Sequence, residues 1–525
     1  MKNLYKNNYL SSLYLFFLGA VSSFSLPPYN YFIINFFTFS LFFIFLINKN
    51  NLLKKNFNYF KYGWLFGFGY FFASLYWITI ALTFDEHLKI LIPIALILIP
   101  SFLAIFYGCA LYIFSFFKKS KNTSRALIFS VLLGIFEFIR GNILSGFPWN
   151  LFAFSFSDNL EFIQILSIIG TYSFNIICIS FFLIPAIFIL RKTKSEIFFC
   201  LIFILIGIFF FIFGNLKINS KNLTIYKKND FLIKIVSSKI DINRFYNTNN
   251  EKKIINDLIK LSDPNPKIPT IFIWPEGVLT STYLRDIKKY KDLFHSNFSD
   301  KHLIIFGIND IFYVGGSSKI YNSLVVVNKN LDVVNLYNKN NLVPFGEFIP
   351  LENFLKNIGL KTITNEYQSF SKGKERKIIN LKNKYFDLNF LPLICYEIIY
   401  SGKLYKNSNF NLIINISEDG WFGRSIGLNQ HFTHSIFRSI EEGKNIIRST
   451  NNGISAYINT SGKVIEKIES TQSGVIEVSG FHEQKKTVFS KNGNNIFFYL
   501  LIIYISLIFF IKKKKKSEKK LFIYK

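Results

Sequence analysis

Residues 1–216 are dominated by apolar runs with little between them, and nothing constrains the fold of this chain more strongly. A bilayer core needs roughly 20 consecutive apolar residues per helix. Seven runs meet or approach that length, near 9–26, 31–48, 64–84, 88–117, 124–142, 160–190 and 197–215. The fourth holds Pro93 and Pro100 but no polar turn, which predicts one kinked or tilted helix rather than a hairpin. Lys2 and Lys6 give the first run the outline of a secretory signal, but the immediate succession of further runs reads as a retained helix. An eighth run, NIFFYLLIIYISLIFFI at 495–511, ends in the lysines 512–516.

The loops between these runs report orientation. Half of the residues are hydrophobic and 65 are Phe, yet the formal net charge is +29, a combination that points to apolar spans with basic flanks. Lys49, Lys54, Lys55 and Lys61 fill one loop, Lys118, Lys119, Lys121 and Arg125 another, and Arg191, Lys192 and Lys194 a third. The alternate loops are poor in cations: SLPPYN has none, TFDEHLK offsets its lysine with Asp85 and Glu86, and 140–159 has only Arg140. The positive-inside rule places the basic loops and both termini in the cytoplasm. The expected organisation is a transmembrane domain of seven helices (1–216), a domain on the outer face (217–492), an eighth helix (493–512) and a basic cytoplasmic tail (513–525). The lysines are scattered and no nucleic-acid-binding motif is present, so the charge is not read as a nucleic-acid footprint. Three of the four cysteines, Cys109, Cys178 and Cys200, lie in apolar runs, which argues against a disulfide framework.

The insert changes period. FLIKIV (231–236), TIFIWPE (270–276), HLIIFGI (302–308), SLVVVN (323–328), NFLPLICYE (389–397) and FNLIINIS (410–417) are short apolar or β-branched runs. Helix-like stretches such as 251–262 and 431–449 lie between some of them. Such alternation indicates a layered α/β domain.

Three of the strand-like runs end near reactive groups: Glu276 after IFIWP, Lys339 and Glu347 in YNKNNLVPFGE, and Cys395 with Glu397 in LICYE. Taken singly, such residues are usually turn, solvated or packing residues. Together they supply a nucleophile, a general base and a cation for an oxyanion, the complement that acyl transfer from a thiol requires. A free thiol with a pKa of about 8.5 is mostly protonated at neutral pH, so a neighbouring base must take its proton. His431 and His434 are three apart with no further Cys or His partners, and they are read as satisfied surface or core residues rather than metal ligands.

The order Glu276, Lys339, Cys395, in the contexts WPE, YNKNNLVPFGEFIP and CYE, resembles the nitrilase superfamily. Eight spans with the domain inserted before the last, and the segment 415–462 with its DGWFG, resemble more narrowly the apolipoprotein N-acyltransferase family. The resemblance implies an αββα sandwich inserted in a polytopic α-helical membrane domain of about eight transmembrane helices. It implies that Cys395 accepts an acyl chain as a thioester, that Glu276 is the general base and that Lys339 stabilises the oxyanion. Glu347, Tyr396 and Glu397 match further family positions that support the site. The implied donor is a phospholipid, chiefly phosphatidylethanolamine. The implied acceptor is the α-amine of the diacylglyceryl cysteine that begins an apolipoprotein. No cofactor or metal is implied, and the implied location is the bacterial inner membrane with the catalytic domain facing the periplasm. The sequence departs from the family in two places. Phe245 or Tyr246 stands where an early tryptophan is common, and Glu418-Asp419 precedes Gly420-Trp421 where Asn-Asp is more usual.

Two segments are candidates for guiding lipid. Residues 344–370 gather Phe345, Phe348, Ile349, Leu351, Phe354, Leu355 and Ile358, consistent with either a core helix or a lid. DGWFGRSIGLNQ (419–430) offers Trp421 and Phe422 among glycines. Glu137 and Arg140 near the outer end of the fifth span have the spacing of an i, i+3 ion pair. A membrane-anchored amidase would use the same Glu–Lys–Cys set, so that set does not separate the two activities. A transporter with an external binding domain would show internal repeats, and none is visible.

Overall fold

The computed structural model describes residues 7–49, 56–118, 120–220, 224–245, 250–314, 317–350, 369–404, 409–484 and 486–523. The chain forms two compact units. One comprises Met1–Ser220, Ser425–Thr433 and Thr487–Lys525, and the other Lys221–Arg424 and His434–Lys486.

The first unit is helical because its sequence offers long apolar stretches whose backbone groups must be satisfied within each segment. Among the described residues, five helical runs are long and apolar enough to cross a membrane: Phe57–Phe84, Glu86–Phe117, Asn122–Arg140, Leu166–Ile189 and Lys194–Asn219. The first and second expected runs are also helical but shorter, at Asn8–Ser22 and Ile33–Lys49, and the eighth is the apolar part of the helix Asn495–Ile523. Glu86–Phe117 is a single run with Pro100 inside its α-helical part, not a hairpin. The expected 160–190 span is interrupted at Gly170, whose φ of +70° is not helical.

Two glycines set the closest helix approach near the N-terminus. A Cβ on Gly19 would lie 1.9 Å from the Phe66 carbonyl oxygen, and one on Gly69 would lie 2.0 Å from that of Phe16. The missing side chains let the two backbones touch, as small residues do between membrane helices. Glu137 and Arg140 do pair, and their side chains are almost fully buried. The Tyr107 hydroxyl donates to one Glu137 oxygen and Arg140 Nε donates to the other at 2.8 Å. This pair is enclosed by protein, as an intramembrane charge must be. His431 is buried and stacks on Trp149 at 5.4 Å between ring centroids.

The second unit contains β1 (Thr224–Ser237), β2 (Thr270–Ile273), β3 (Leu279–Tyr283), β4 (His302–Val314), β5 (Ser317–Val327) and β6 (Val333–Asn338). It continues with β7 (Ile379–Lys382), β8 (Asp387–Ile394), β9 (Leu412–Glu418), β10 (Asn445–Asn451), β11 (Ser455–Ile458), β12 (Val464–Ile468) and β13 (Gly474–Gln484). One sheet runs β13-β1-β2-β4-β5-β6, with β3 paired to β4, and the other runs β12-β11-β10-β9-β8-β7. The central pairs β1/β2, β2/β4, β8/β9 and β9/β10 are parallel, which explains why their sequences are continuous apolar runs.

Period-2 alternation assigns these side chains to two layers. Ile271 and Ile273 of β2 join Ile233, Ile305, Phe390, Ile414 and Ile447 in the core between the sheets. Phe272 faces the other way, with Trp274 and Ile304, and packs against Ile255 and Leu258 of the helix Glu251–Ser262. Phe437 and Ile440, on the helix Gly427–Glu442, are fully buried in the remaining helical layer. The result is the expected α/β sandwich of two sheets with helices outside them.

Candidate active site

The candidate residues lie just past the C-terminal ends of strands, where open α/β sheets place their sites. Glu276 follows β2, Lys339 follows β6, Cys395 follows β8 and Glu418 closes β9. Gly307 on β4 makes room for the first of these, since a Cβ there would lie 2.7 Å from Glu276 Cα.

Glu276 is 7% exposed. Its Oε1 accepts from Asn322 Nδ2 at 2.7 Å and from Lys339 Nζ at 3.4 Å, while its Oε2 accepts from the Glu418 backbone N–H at 2.9 Å. Lys339 Nζ also donates to Glu347 Oε1 at 2.8 Å. Asn322 Nδ2 donates to that same Glu347 oxygen at 2.8 Å, so one amide bridges both carboxylates. The Lys339 main chain is fixed in turn, because its N–H donates to the Asn322 carbonyl at 2.8 Å.

The electrostatics follow from burial. Desolvation raises the Glu276 pKa and Glu347 adds to the rise, against the pull of the Lys339 ammonium. Burial also works against the charge of Lys339, but Glu276 and Glu347 outweigh it and hold the ammonium well above its ordinary range. Burial and the Glu276 carboxylate push the Cys395 thiol up, and Lys339 pulls it back. The resting thiol is therefore protonated, beside a carboxylate able to receive the proton and a cation able to stabilise what remains.

Cys395 sits at a sharp strand-to-helix turn with φ of +48°, in the left-handed region that a residue with a Cβ rarely occupies. Glu397 holds that turn. Its Oε2 accepts from the Ile394 N–H at 2.9 Å. Its Oε1 accepts from the Tyr337 hydroxyl at 2.8 Å and from the N–H groups of Asn340 and Asn341 at 2.9 and 3.0 Å. One fully buried carboxylate thus ties the residue before Cys395 to the two residues after Lys339. Tyr396 is buried and packs against Tyr400.

The aromatic candidates are placed differently. Phe345 is 76% exposed with φ of +62°, and Phe348 is half-buried. Trp421 and Phe422 are half-buried, and Trp421 packs on Phe245 at 5.0 Å. Tyr246, and Leu351, Phe354, Leu355 and Ile358 of the lid candidate, lie outside the described residues.

Sequence reasoning missed Asn322, Arg244 and Arg448. Arg448 is fully buried and donates to Asp419 Oδ2 at 2.7 Å, behind the turn that follows β9. Asn322 left one faint signal, a polar residue at the head of the apolar run SLVVVN.

Two parallel-centred sheets with helices outside them are the architecture of the carbon–nitrogen hydrolase class, and residues 296–479 match the carbon–nitrogen hydrolase family. Residues 18–182 match the apolipoprotein N-acyltransferase N-terminal domain. The chain is 33% identical over 497 residues to apolipoprotein N-acyltransferase of Rickettsia prowazekii, covering 93% of this chain and 95% of that one. It is 29% identical over 475 residues to the apolipoprotein N-acyltransferase of Rhizobium rhizogenes, covering 87% and 88%. The chain belongs to the apolipoprotein N-acyltransferase family. Among solved structures it is similar to a CN-hydrolase superfamily protein of Xanthomonas campestris, at 15% identity and a TM-score of 0.34 over 48% of this chain and 91% of that one.

Proposed function

We propose that this protein transfers an acyl chain from a phospholipid to the terminal amine of a diacylglyceryl cysteine, with Glu276, Lys339 and Cys395 as its catalytic residues. The convergence of Glu276, Lys339 and Glu347 on shared hydrogen bonds, beside a cysteine held at a left-handed turn, carries this reading. In the first half-reaction Glu276 takes the thiol proton and the thiolate sulfur attacks the ester carbonyl. The Lys339 ammonium stabilises the tetrahedral oxyanion. The carbon–oxygen bond breaks, the lysophospholipid alkoxide recovers the proton from Glu276, and the acyl chain stays on Cys395 as a thioester. In the second half-reaction the acceptor amine attacks the thioester, Glu276 takes the amine proton and the carbon–sulfur bond breaks. The proton passes to the departing sulfur, leaving an amide and the free thiol.

Glu347 and Asn322 fix the cation and the base relative to each other, and Glu397 and Tyr396 hold the nucleophile's turn. Phe345, Phe348, Trp421 and Phe422 are the described candidates for guiding acyl chains, and the exposure of Phe345 and the Gly-rich surroundings of Trp421 and Phe422 support that role. We read the donor as phosphatidylethanolamine and the acceptor as an apolipoprotein. The charge bias of the loops supports about eight spans in the inner membrane, with residues 217–492 on the periplasmic side.

The test is intact mass of the purified full-length protein, first with phosphatidylethanolamine and then with a diacylated lipopeptide. The expected result is an acyl adduct on Cys395 that hydroxylamine releases and the lipopeptide discharges to a triacylated product, with none on Cys395→Ala. Hydrolysis of a small amide without any phospholipid-derived adduct would instead identify an amidase. A triacylated product formed while Cys395 never carries an acyl chain would refute the covalent mechanism alone.

A further inference from the structure

The carboxylate of Glu276 is held from behind by a ring of contacts that its own strand does not supply. Glu418, at the end of β9, gives its backbone N–H to Glu276 Oε2 at 2.9 Å. Its side chain turns back, taking the Gly420 N–H on Oε1 at 2.8 Å and Asn451 Nδ2 on Oε2 at 2.7 Å. The same Oε2 pairs with Arg244 Nη2, and both side chains are almost completely buried. Arg244 Nε donates to the carbonyl of Gly277 at 3.0 Å, and Gly277, directly after Glu276, has φ of +63°. The ring closes through the Glu276–Gly277 peptide.

A buried arginine that spans the Gly277 carbonyl and the Glu418 carboxylate clamps the two together, because its guanidinium is planar and its donors are fixed in direction. One point sets the carbonyl of Gly277, the residue after Glu276, and the other sets the residue whose amide touches Glu276 Oε2. Arg244 is itself anchored, since its Nη1 donates to the Asp241 carbonyl at 3.0 Å and its own carbonyl accepts from Thr280 Oγ1 at 3.0 Å.

We propose that the Arg244–Glu418 ion pair is a positioning device for the base, fixing both the main chain of Glu276–Gly277 and the amide that binds Glu276 Oε2. The inference rests on the reading of Glu276 as the base. The titratable groups facing Glu276 are Lys339 after β6, Glu347 in the following loop and Cys395 after β8. Glu418 and Arg244 lie behind it, and Asp419, nearer to Cys395, is neutralised by Arg448. A hydrogen bond to a carboxylate favours its charged form, so loosening the Glu418 amide makes the base harder to ionise.

The experiment follows acyl-adduct formation on Cys395 by intact mass, using full-length protein and phosphatidylethanolamine from pH 5 to 9, with melting temperature measured in parallel. Arg244→Met should slow acylation about tenfold at neutral pH and move the acid limb of the rate profile upward by about one pH unit. Arg244→Lys keeps the charge but cannot span Gly277 and Glu418 together, and should recover less than half of the lost rate. A role in stability alone would lower the melting temperature and leave the acid limb in place. A wild-type acid limb in folded Arg244→Met, or a fully wild-type Arg244→Lys, would overturn the proposal. If Arg244→Met does not fold, Arg244→Lys decides by the same criterion. Glu276→Gln separates the two levels. If it forms no adduct while the Arg244 variants behave as wild type, only the clamp fails. If it acylates normally, the base assignment fails and the inference with it.

Discussion

Replacing Lys339 by Ala removes a cation that the buried Glu276 and the partly buried Glu347 share. Its Nζ lies 2.8 Å from Glu347 Oε1 and 3.4 Å from Glu276 Oε1, and the side chain is 1% exposed. Two losses follow. In the proposed mechanism the oxyanion loses its charged donor, which costs about 3 kcal/mol or more, roughly a hundredfold in rate. Glu276 and Glu347 then face each other through Asn322 without a counter-charge, so one of them takes up a proton. Burial already raises the Glu276 pKa, and removing the ammonium raises it further, so the base is neutralised at neutral pH as well. Acylation of Cys395 should therefore fall at least a hundredfold at pH 7. Part of the loss should return at alkaline pH, as Glu276 ionises while the oxyanion deficit persists. The assay is the initial rate of acyl-adduct formation by intact mass, across pH, with Lys339→Arg alongside. Arg should rescue poorly, because its wide planar head places charge differently. The contribution of Lys339 to stability has a defined sign. Its folded-state pKa is raised, so the stabilisation is fully present below the unfolded value of about 10.4 and is lost only as pH rises through the folded value. Near-normal adduct formation by folded Lys339→Ala at pH 7 would refute this reasoning.

Glu397→Gln keeps the shape of its side chain but turns one of its acceptor positions into a donor. Either the Ile394 N–H or the cluster from Tyr337, Asn340 and Asn341 loses its partner, at about 1–3 kcal/mol, so melting temperature and acylation rate should both fall. Glu442 is buried, and desolvation with the neighbouring Glu441 raises its pKa to about 8. A raised carboxylate withdraws stability as pH climbs from the unfolded value of about 4.3 through the folded one. Glu442→Gln should therefore melt higher than wild type at pH 8, by about a few kcal/mol of stability, with the difference shrinking toward pH 5; equal melting at both pH values would remove Glu442 as the cause. Reporter fusions at Lys121 and Lys194 should report the cytoplasm, and fusions at Ser220 and Asn494 the outer side, from the alternation of loop charge. A cytoplasmic signal at Ser220 would overturn the orientation.

The sequence alone determined what depends on local composition. Apolar runs near the length of a bilayer core form helices because a segment without polar side chains must satisfy its backbone internally, and they are legible from Phe57 to Asn219. The largely apolar strands TIFI and LIINIS likewise announced a sheet covered on both faces. The order of Glu276, Lys339 and Cys395 could be read because each reactive residue closes a strand-like run. What the sequence could not contain was the register of distant strands. Glu276 and Lys339 are separated by 63 positions and meet only because β2 and β6 end at the same edge of one sheet. Asn322 looked like the polar start of an apolar strand until pairing with Lys339 turned its amide onto two carboxylates at once. Arg244 and Glu418, 174 positions apart, each resemble an ordinary charged loop residue. Arg244 lies beyond β1 and Glu418 ends β9 of the other sheet, so only the packing of the two sheets buries them together, and a buried charge persists only with the partner that tertiary packing brings to it.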